Sequence, residues 1–130
     1  MERQAAESGY AERIEFVGRK EQDELQEWYD RIDILLMPSR SEGFGLTAIE
    51  GMARGCVPVV SDTGGLPEVV TADCGLLHKP EDVNDMARQI RHLASNPQLL
   101  DKLSKGSLQR AADFAPEHYL EKIKAFYSLL

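Results

Sequence analysis

The stretch Glu42-Gly-Phe-Gly-Leu-Thr-Ala-Ile-Glu50 lies between two apolar runs, Asp33-Ile-Leu-Leu-Met-Pro-Ser39 and Gly55-Cys-Val-Pro-Val-Val-Ser61. A continuously apolar run of this length suits a strand covered on both faces, as in a parallel sheet. A strand feeding a glycine-rich turn and then a helix is how α/β proteins build phosphate cradles. Gly43 and Gly45 let the chain turn sharply and bring bare backbone close to a ligand. The free amides of Gly45, Leu46 and Thr47 then open the helix, where the macrodipole favours a diphosphate. Glu50, in the second turn, leans back toward the helix start and can accept hydrogen bonds from two hydroxyls of a polyol such as ribose. Glu42, before the turn, points to where a group beyond the phosphates would lie. A nucleotide-sugar carries both kinds of group.

The rest of the chain alternates in the same way. Residues 2–9 read as a helix end closed by Gly9, and Arg13-Ile-Glu-Phe-Val-Gly18 as a short strand. Leu25, Trp28 and Tyr29 form a helical stripe between Glu21 and about Arg31. A helix is expected from about Gly45 to Arg54, ended by Gly55. Pro58 is placed at the start of the next strand, where a missing N–H is tolerated. Thr63-Gly-Gly-Leu-Pro-Glu68 reads as a turn and short helix, and Cys74-Gly-Leu-Leu-His78 as a further strand. Beyond Pro80 three helical stripes follow: Val83, Met86, Ala87, Ile90 and Leu93; then Leu99, Leu100, Leu103 and Leu108; then Tyr119, Leu120, Ile123, Phe126 and Tyr127. Pro97 and Pro116 open the last two helices. The expected architecture is a doubly wound α/β domain with its ligand at the carboxyl ends of the strands.

Residues 1–130 make one domain, with a formal net charge of −7 that argues against a nucleic-acid or anionic-membrane surface. No apolar run approaches the ~20 residues of a membrane span, and the acidic N-terminus is wrong for a signal peptide. Cys56 and Cys74 sit in apolar runs without ligand neighbours and read as buried small hydrophobes, which points to a cytoplasmic protein. His78, His92 and His118 share no partner by spacing, so no metal site and no cofactor are expected.

The run Pro38-Ser-Arg-Ser-Glu-Gly-Phe-Gly-Leu-Thr-Ala-Ile-Glu-Gly-Met-Ala-Arg-Gly-Cys-Val-Pro-Val-Val60 resembles the signature of the retaining family 4 glycosyltransferases. The likeness extends to Phe16-Val-Gly18, Tyr29, Gly64-Gly65, Pro67-Glu68-Val-Val70, Gly75-Leu-Leu77 and Pro80, nearly the whole chain. It implies a partial Rossmann-like parallel sheet with flanking helices, the C-terminal domain of a GT-B fold. The implied activity is transfer of a hexose from a nucleoside diphosphate sugar to an acceptor sugar, lipid or polysaccharide, with retention of configuration.

By the same resemblance Glu42 lies near the reacting carbon of the donor sugar as the catalytic carboxylate, and Glu50 binds the ribose. The amides of Gly43, Phe44, Gly45, Leu46 and Thr47 hold the diphosphate and sugar. Arg19 and Lys20 occupy the loop where such proteins meet the base, or are a solvated pair. Gly64-Gly65 either approaches the donor sugar or shapes the turn, and Asp62 reads as a turn-capping residue. Trp28 is a core candidate, and Phe44 a core or pocket-wall candidate.

Four departures qualify the match. The basic pair that the family places after the first strand of this domain is absent from these residues, as is the acceptor domain. Pro116 stands where an aromatic residue is frequent. Gly51 replaces the usual Ala after the second Glu, which weakens a helix by up to about 1 kcal/mol. The expectation is therefore a donor-binding portion that is inactive in isolation and self-associates through an exposed sheet flank. Two other readings are a nucleotide-sugar epimerase of the same architecture and a non-catalytic nucleotide-sugar-binding module.

Overall fold

Among the described residues three parallel strands form the centre of the molecule: β1 (Ile34–Met37), β2 (Val57–Ser61) and β3 (Leu76–His78), in the spatial order β1-β2-β3. The computed structural model describes residues 1–129 and all their side chains except those of Tyr119, Lys122 and Phe126. Ile34 stands opposite Val57 and Met37 opposite Val60, while Val59 faces Leu76 and Ser61 faces His78. Helices α1 (Glu2–Glu7) and α2 (Gln22–Arg31) precede the sheet, with a 3-10 turn at Ala11–Arg13 between them. The crossovers carry α3 (Leu46–Met52) and α4 (Leu66–Val69). Helices α5 (Val83–Ala94), α6 (Pro97–Ala112) and α7 (Pro116–Ser128) follow. The expected parallel sheet with flanking helices is the fold the chain adopts.

Strand β2 is buried along its whole length because helices cover both faces. On one face Met37 and Val60 pack with Ala48 and Met52 of α3, Leu66 and Val69 of α4, and Ala111 near the end of α6. On the other, Val57 and Val59 pack with Leu93 of α5 and Leu103 of α6. Pro58 sits second in β2 without breaking the ladder. The Val57 amide donates to Asp33 at 2.8 Å, so alternation turns the next amide position toward β3. The pairing with β3 starts only at Val59 opposite Leu76, and no donor is needed at Pro58.

The helix ends follow their local sequence. Glu21 and Glu24 close a capping box at α2. Asp82 accepts from the Asp85 amide at 2.9 Å to cap α5, and Asn96 accepts from the Leu99 amide at 3.1 Å ahead of Pro97. Helix α3 stops in a Schellman turn: the Gly55 amide donates to Met52 and the Cys56 amide to Gly51, both at 3.0 Å, with Gly55 at φ +84°.

Two expectations need correcting. Residues 14–20 form no strand. Ile14 is extended at its backbone, but the segment has no neighbouring strand to complete a ladder, and Ile14 and Phe16 stay exposed. Trp28 is only half-buried and lies under the Arg31 guanidinium, 4.3 Å from the ring centroid, rather than in the core. In the third stripe, Leu120 and Tyr127 are exposed and Ile123 is half-buried; the side chains of Tyr119 and Phe126 lie outside the described residues.

Candidate functional site

The three parallel strands end side by side. Ser61 Oγ, completely buried, lies 3.3 Å from the Met37 carbonyl and 3.4 Å from His78 Nε2, and the Asp62 amide donates to His78 at 2.8 Å. The Ser61 hydroxyl donates to the Met37 carbonyl, and His78 Nδ1 lies 2.9 Å from the Lys79 carbonyl, which can only accept, so that ring nitrogen is the donor there. Buried polar groups thus cross-tie the carboxyl edge of the sheet, the edge at which open α/β sheets present their ligand-binding loops. Asp62 is exposed, and its main chain rather than a side-chain cap makes this tie.

The loop after β1 carries Glu42, and the loop after β2 supports it. The Gly65 amide reaches the carbonyls of Glu42 at 3.3 Å and Gly43 at 3.0 Å. A Cβ on Gly64, where φ is +54°, would lie 1.8 Å from the Glu42 carbonyl oxygen, and one on Gly65 2.2 Å from that of Gly43. Backbone packing between the two loops therefore demands this glycine pair. Thr63 Oγ1 donates to the Arg40 carbonyl at 3.4 Å, and the Arg40 guanidinium pairs with Glu81 at 3.0 Å. Glu42 itself is half-buried, with Ser39 Oγ at 3.5 Å from Oε2, a weak contact.

Gly45 turns the chain into α3 with φ +82° and ψ 38°, a conformation a side chain resists. The Ala48 and Ile49 amides both donate to the Gly45 carbonyl, so intrahelical bonding starts there. The amides of Gly45, Leu46 and Thr47 have no acceptor among the described residues, while Leu46 and Thr47 are exposed. Glu50, half-buried on α3, receives the Tyr29 hydroxyl at 3.3 Å. Burial first, and the Glu50 charge second, push the Tyr29 phenol above its ordinary value of 10.0, which keeps it protonated as a donor. No role for Tyr29 follows from the helical stripe, because spacing within α2 says nothing of what its one polar atom meets on α3.

The structure therefore joins Glu42, Gly43, Phe44, Gly45, Leu46, Thr47 and Glu50 in one turn and helix start. Phe44 is an exposed pocket wall: its ring meets Phe114 edge to face at 5.9 Å beside a groove of about 780 Å³ lined also by Leu46, Ile49 and Pro116. Arg110 borders this groove, but its guanidinium is occupied by the Glu68 and Val69 carbonyls, Asp113 and the Phe114 ring. Arg19 and Lys20 stand in the irregular segment before α2, and among the described contacts neither reaches the motif. Lys20 Nζ lies 3.8 Å from Glu24 and Arg19 is exposed. Among the described residues no group of three or more His, Cys, Asp or Glu could hold a metal ion, and no helix is long and apolar enough to cross a membrane.

A parallel three-stranded half-sheet with flanking helices and an acid-bearing glycine turn at its carboxyl edge defines a Rossmann-like class of α/β domain. Within it, the chain belongs to the family described as glycosyl transferases group 1, which it matches over residues 1–110. It is 38% identical over 111 residues to the D-inositol 3-phosphate glycosyltransferase of Streptomyces bingchenggensis, an alignment covering 85% of this chain and 24% of that protein. It is similar in structure to sucrose-phosphate synthase from Thermosynechococcus elongatus, with a TM-score of 0.86 and 32% identity over 98% of this chain and 33% of the other. The fold is shared with Anabaena HepE, solved in complex with UDP and glucose, at a TM-score of 0.85 and 22% identity over 98% of this chain and 35% of HepE. These structural neighbours are glycosyltransferases of the GT-B fold. The chain thus spans between a quarter and about a third of the length of these proteins.

Proposed function

We propose that this chain is the donor-binding part of a retaining family 4 glycosyltransferase that moves a hexose from a nucleoside diphosphate sugar to an acceptor. One observation carries the reading: two half-buried carboxylates, Glu42 and Glu50, bracket a turn whose amides at Gly45, Leu46 and Thr47 have no acceptor among the described residues. Those amides and the positive end of α3 suit the diphosphate, and Glu50 suits two vicinal hydroxyls of the ribose. Glu42 is assigned to the donor sugar beside its reacting carbon, with Gly43 and Phe44 closing over it. Arg19 and Lys20 are assigned to the side of the base.

Departure of a nucleoside diphosphate develops negative charge, and donors aimed at that charge lower the barrier; losing one costs on the order of 100-fold in rate or more. The backbone amides supply part of this stabilisation. The family's basic pair and acceptor domain are not among these residues, so the chain alone is expected to bind donor without turning it over. HepE, of the same fold, holds UDP and glucose, which favours UDP as the first probe. Reduced, buried Cys56 and Cys74 favour a cytoplasmic setting.

Titration of the chain with UDP, GDP and ADP and their glucose conjugates, followed by ligand-observed NMR, tests the reading. At least one should bind, and Glu50→Ala should weaken it. Absence of binding by the folded chain, or equal binding after Glu50→Ala, rejects the assignment.

A further inference from the structure

We infer that Tyr29 is a positioning residue for Glu50: its hydroxyl holds one carboxylate oxygen and leaves the other to the vicinal hydroxyls of the bound nucleotide. The inference rests on the donor-site reading given above. Tyr29 lies 21 residues before Glu50, on a different helix, yet its hydroxyl stands 3.3 Å from Glu50 Oε2. The residue is 7% exposed, so the contact is made from the protein side of the carboxylate.

Helix α2 is held in that place by the chain emerging from α3. Cys56 Sγ donates to the Tyr29 carbonyl at 3.2 Å and lies 3.6 Å from that of Ile32, and Arg54 pairs with Asp30 at 3.2 Å. The Schellman turn at Gly55 thus docks the end of α2, and α2 in turn presents its tyrosine to Glu50. A phenol offers one proton and an ionised carboxylate about four acceptor sites, so Tyr29 occupies one of them and leaves the rest. An unheld glutamate would lose its rotamer freedom only when ligand bound, which lowers affinity. Tyr29 removes that cost in advance. The separation is longer than the roughly 2.7 Å of a good O–H···O bond, so the expected effect is moderate.

The test uses whichever of UDP, GDP and ADP the chain binds, together with its 2′,3′-dideoxy counterpart. Calorimetric titrations are run on the wild type, Tyr29→Phe, Glu50→Gln and the double variant. Tyr29→Phe is expected to weaken the ribonucleotide about three- to tenfold, leave the dideoxy nucleotide unchanged, and add nothing to Glu50→Gln. Equal weakening of both nucleotides, no weakening, or full additivity with Glu50→Gln overturns the inference, and selective loss in Glu50→Gln then leaves the donor-site reading intact. If Glu50→Gln itself fails to separate the two nucleotides, the ribose reading falls and this inference with it. Should Tyr29→Phe lower the unfolding midpoint, Glu50→Asp decides. It draws the carboxylate back without touching α2, and it must reproduce the selective loss or the inference is rejected.

Discussion

The amide of Gly65 donates to the carbonyl of Gly43 at 3.0 Å, so the loop after β2 rests backbone to backbone on the loop that carries Glu42. Gly65 has φ −80°, an ordinary value, so its lack of a side chain answers to contact and not to conformation. Gly65→Ala is expected to push the Gly43 carbonyl away and cost about 1–3 kcal/mol, the usual range for overpacking. Urea unfolding measures that loss, and nucleotide titration should show weaker binding in parallel. Unchanged stability and affinity would mean that the two loops do not touch in solution.

Glu81 is the one described non-glycine residue with positive φ, at +60°. It follows Pro80 in a turn closed by the Asp82 amide and the Lys79 carbonyl at 3.2 Å, the pattern of a type II turn whose third position favours glycine. Its ion pair with Arg40 is exposed on both sides and offsets little of this cost. Glu81→Gly is expected to raise stability by roughly 0.5–1 kcal/mol. Thermal unfolding of the two proteins side by side gives the sign; a lower midpoint in the variant would assign the larger weight to the Arg40 contact.

Asp85 gives the acid limb of stability a specific origin. The Lys79 amide donates to its carboxylate at 2.7 Å, and Arg88 pairs with its other oxygen. The Lys79 hydrogen bond foremost, with Arg88 adding and burial opposing, holds this carboxyl below its ordinary 3.8. A depressed folded-state value means that the stabilisation is whole above the unfolded value and is lost as pH falls through the folded one. The wild type should therefore lose stability below about pH 4, whereas Asp85→Asn, weaker at neutral pH, should show a flatter decline there. Melting curves across that range check it, and parallel declines would remove Asp85 from the account.

Much of the architecture can be read from residue patterns, and the exceptions have physical causes. A continuous apolar run marks β2 because helices cover both faces there, and β1 carries the same pattern although Leu36 stays exposed. Gly45 and Gly55 mark the ends of α3 because each needs positive φ. The same reasoning fails at Phe16-Val-Gly18, where an alternating apolar pattern describes a strand only if a neighbour completes its hydrogen bonds. It fails for Trp28 too, since helical spacing puts a side chain on a face without saying how deeply that face is buried. Gly51 looks like a weak point in a helix, yet a Cβ there would come within 2.6 Å of the terminal Leu35 Cδ2, so α3 lies close on β1 and a side chain there requires Leu35 to move. Within the candidate site, the acid pair and the turn are legible because they are contiguous. The Tyr29–Glu50 contact, the Gly65–Gly43 bond and the Ser61–His78 tie join segments distant in sequence, and local pattern carries no information about them.

The outer edge of β1 has no strand beside it among the described residues, and three apolar side chains stand exposed on β1 and the segment before α2: Ile14 at 43%, Phe16 at 50% and Leu36 at 42%. Four residues of unpaired backbone with an apolar flank form a template for another chain. Burial of such side chains stabilises by about 25 cal/mol per Å², so a few of them suffice for weak association. The 130-residue chain on its own is therefore expected to self-associate, with light scattering giving a mass above 14.6 kDa that rises with concentration. The pair of substitutions Phe16→Lys and Leu36→Lys puts charge on both exposed apolar segments and should return the chain to a monomer while leaving nucleotide binding at Glu50 unchanged, since neither residue belongs to the donor turn. A concentration-independent, thermostable monomer in the wild type would contradict the argument, and so would association that survives both lysines.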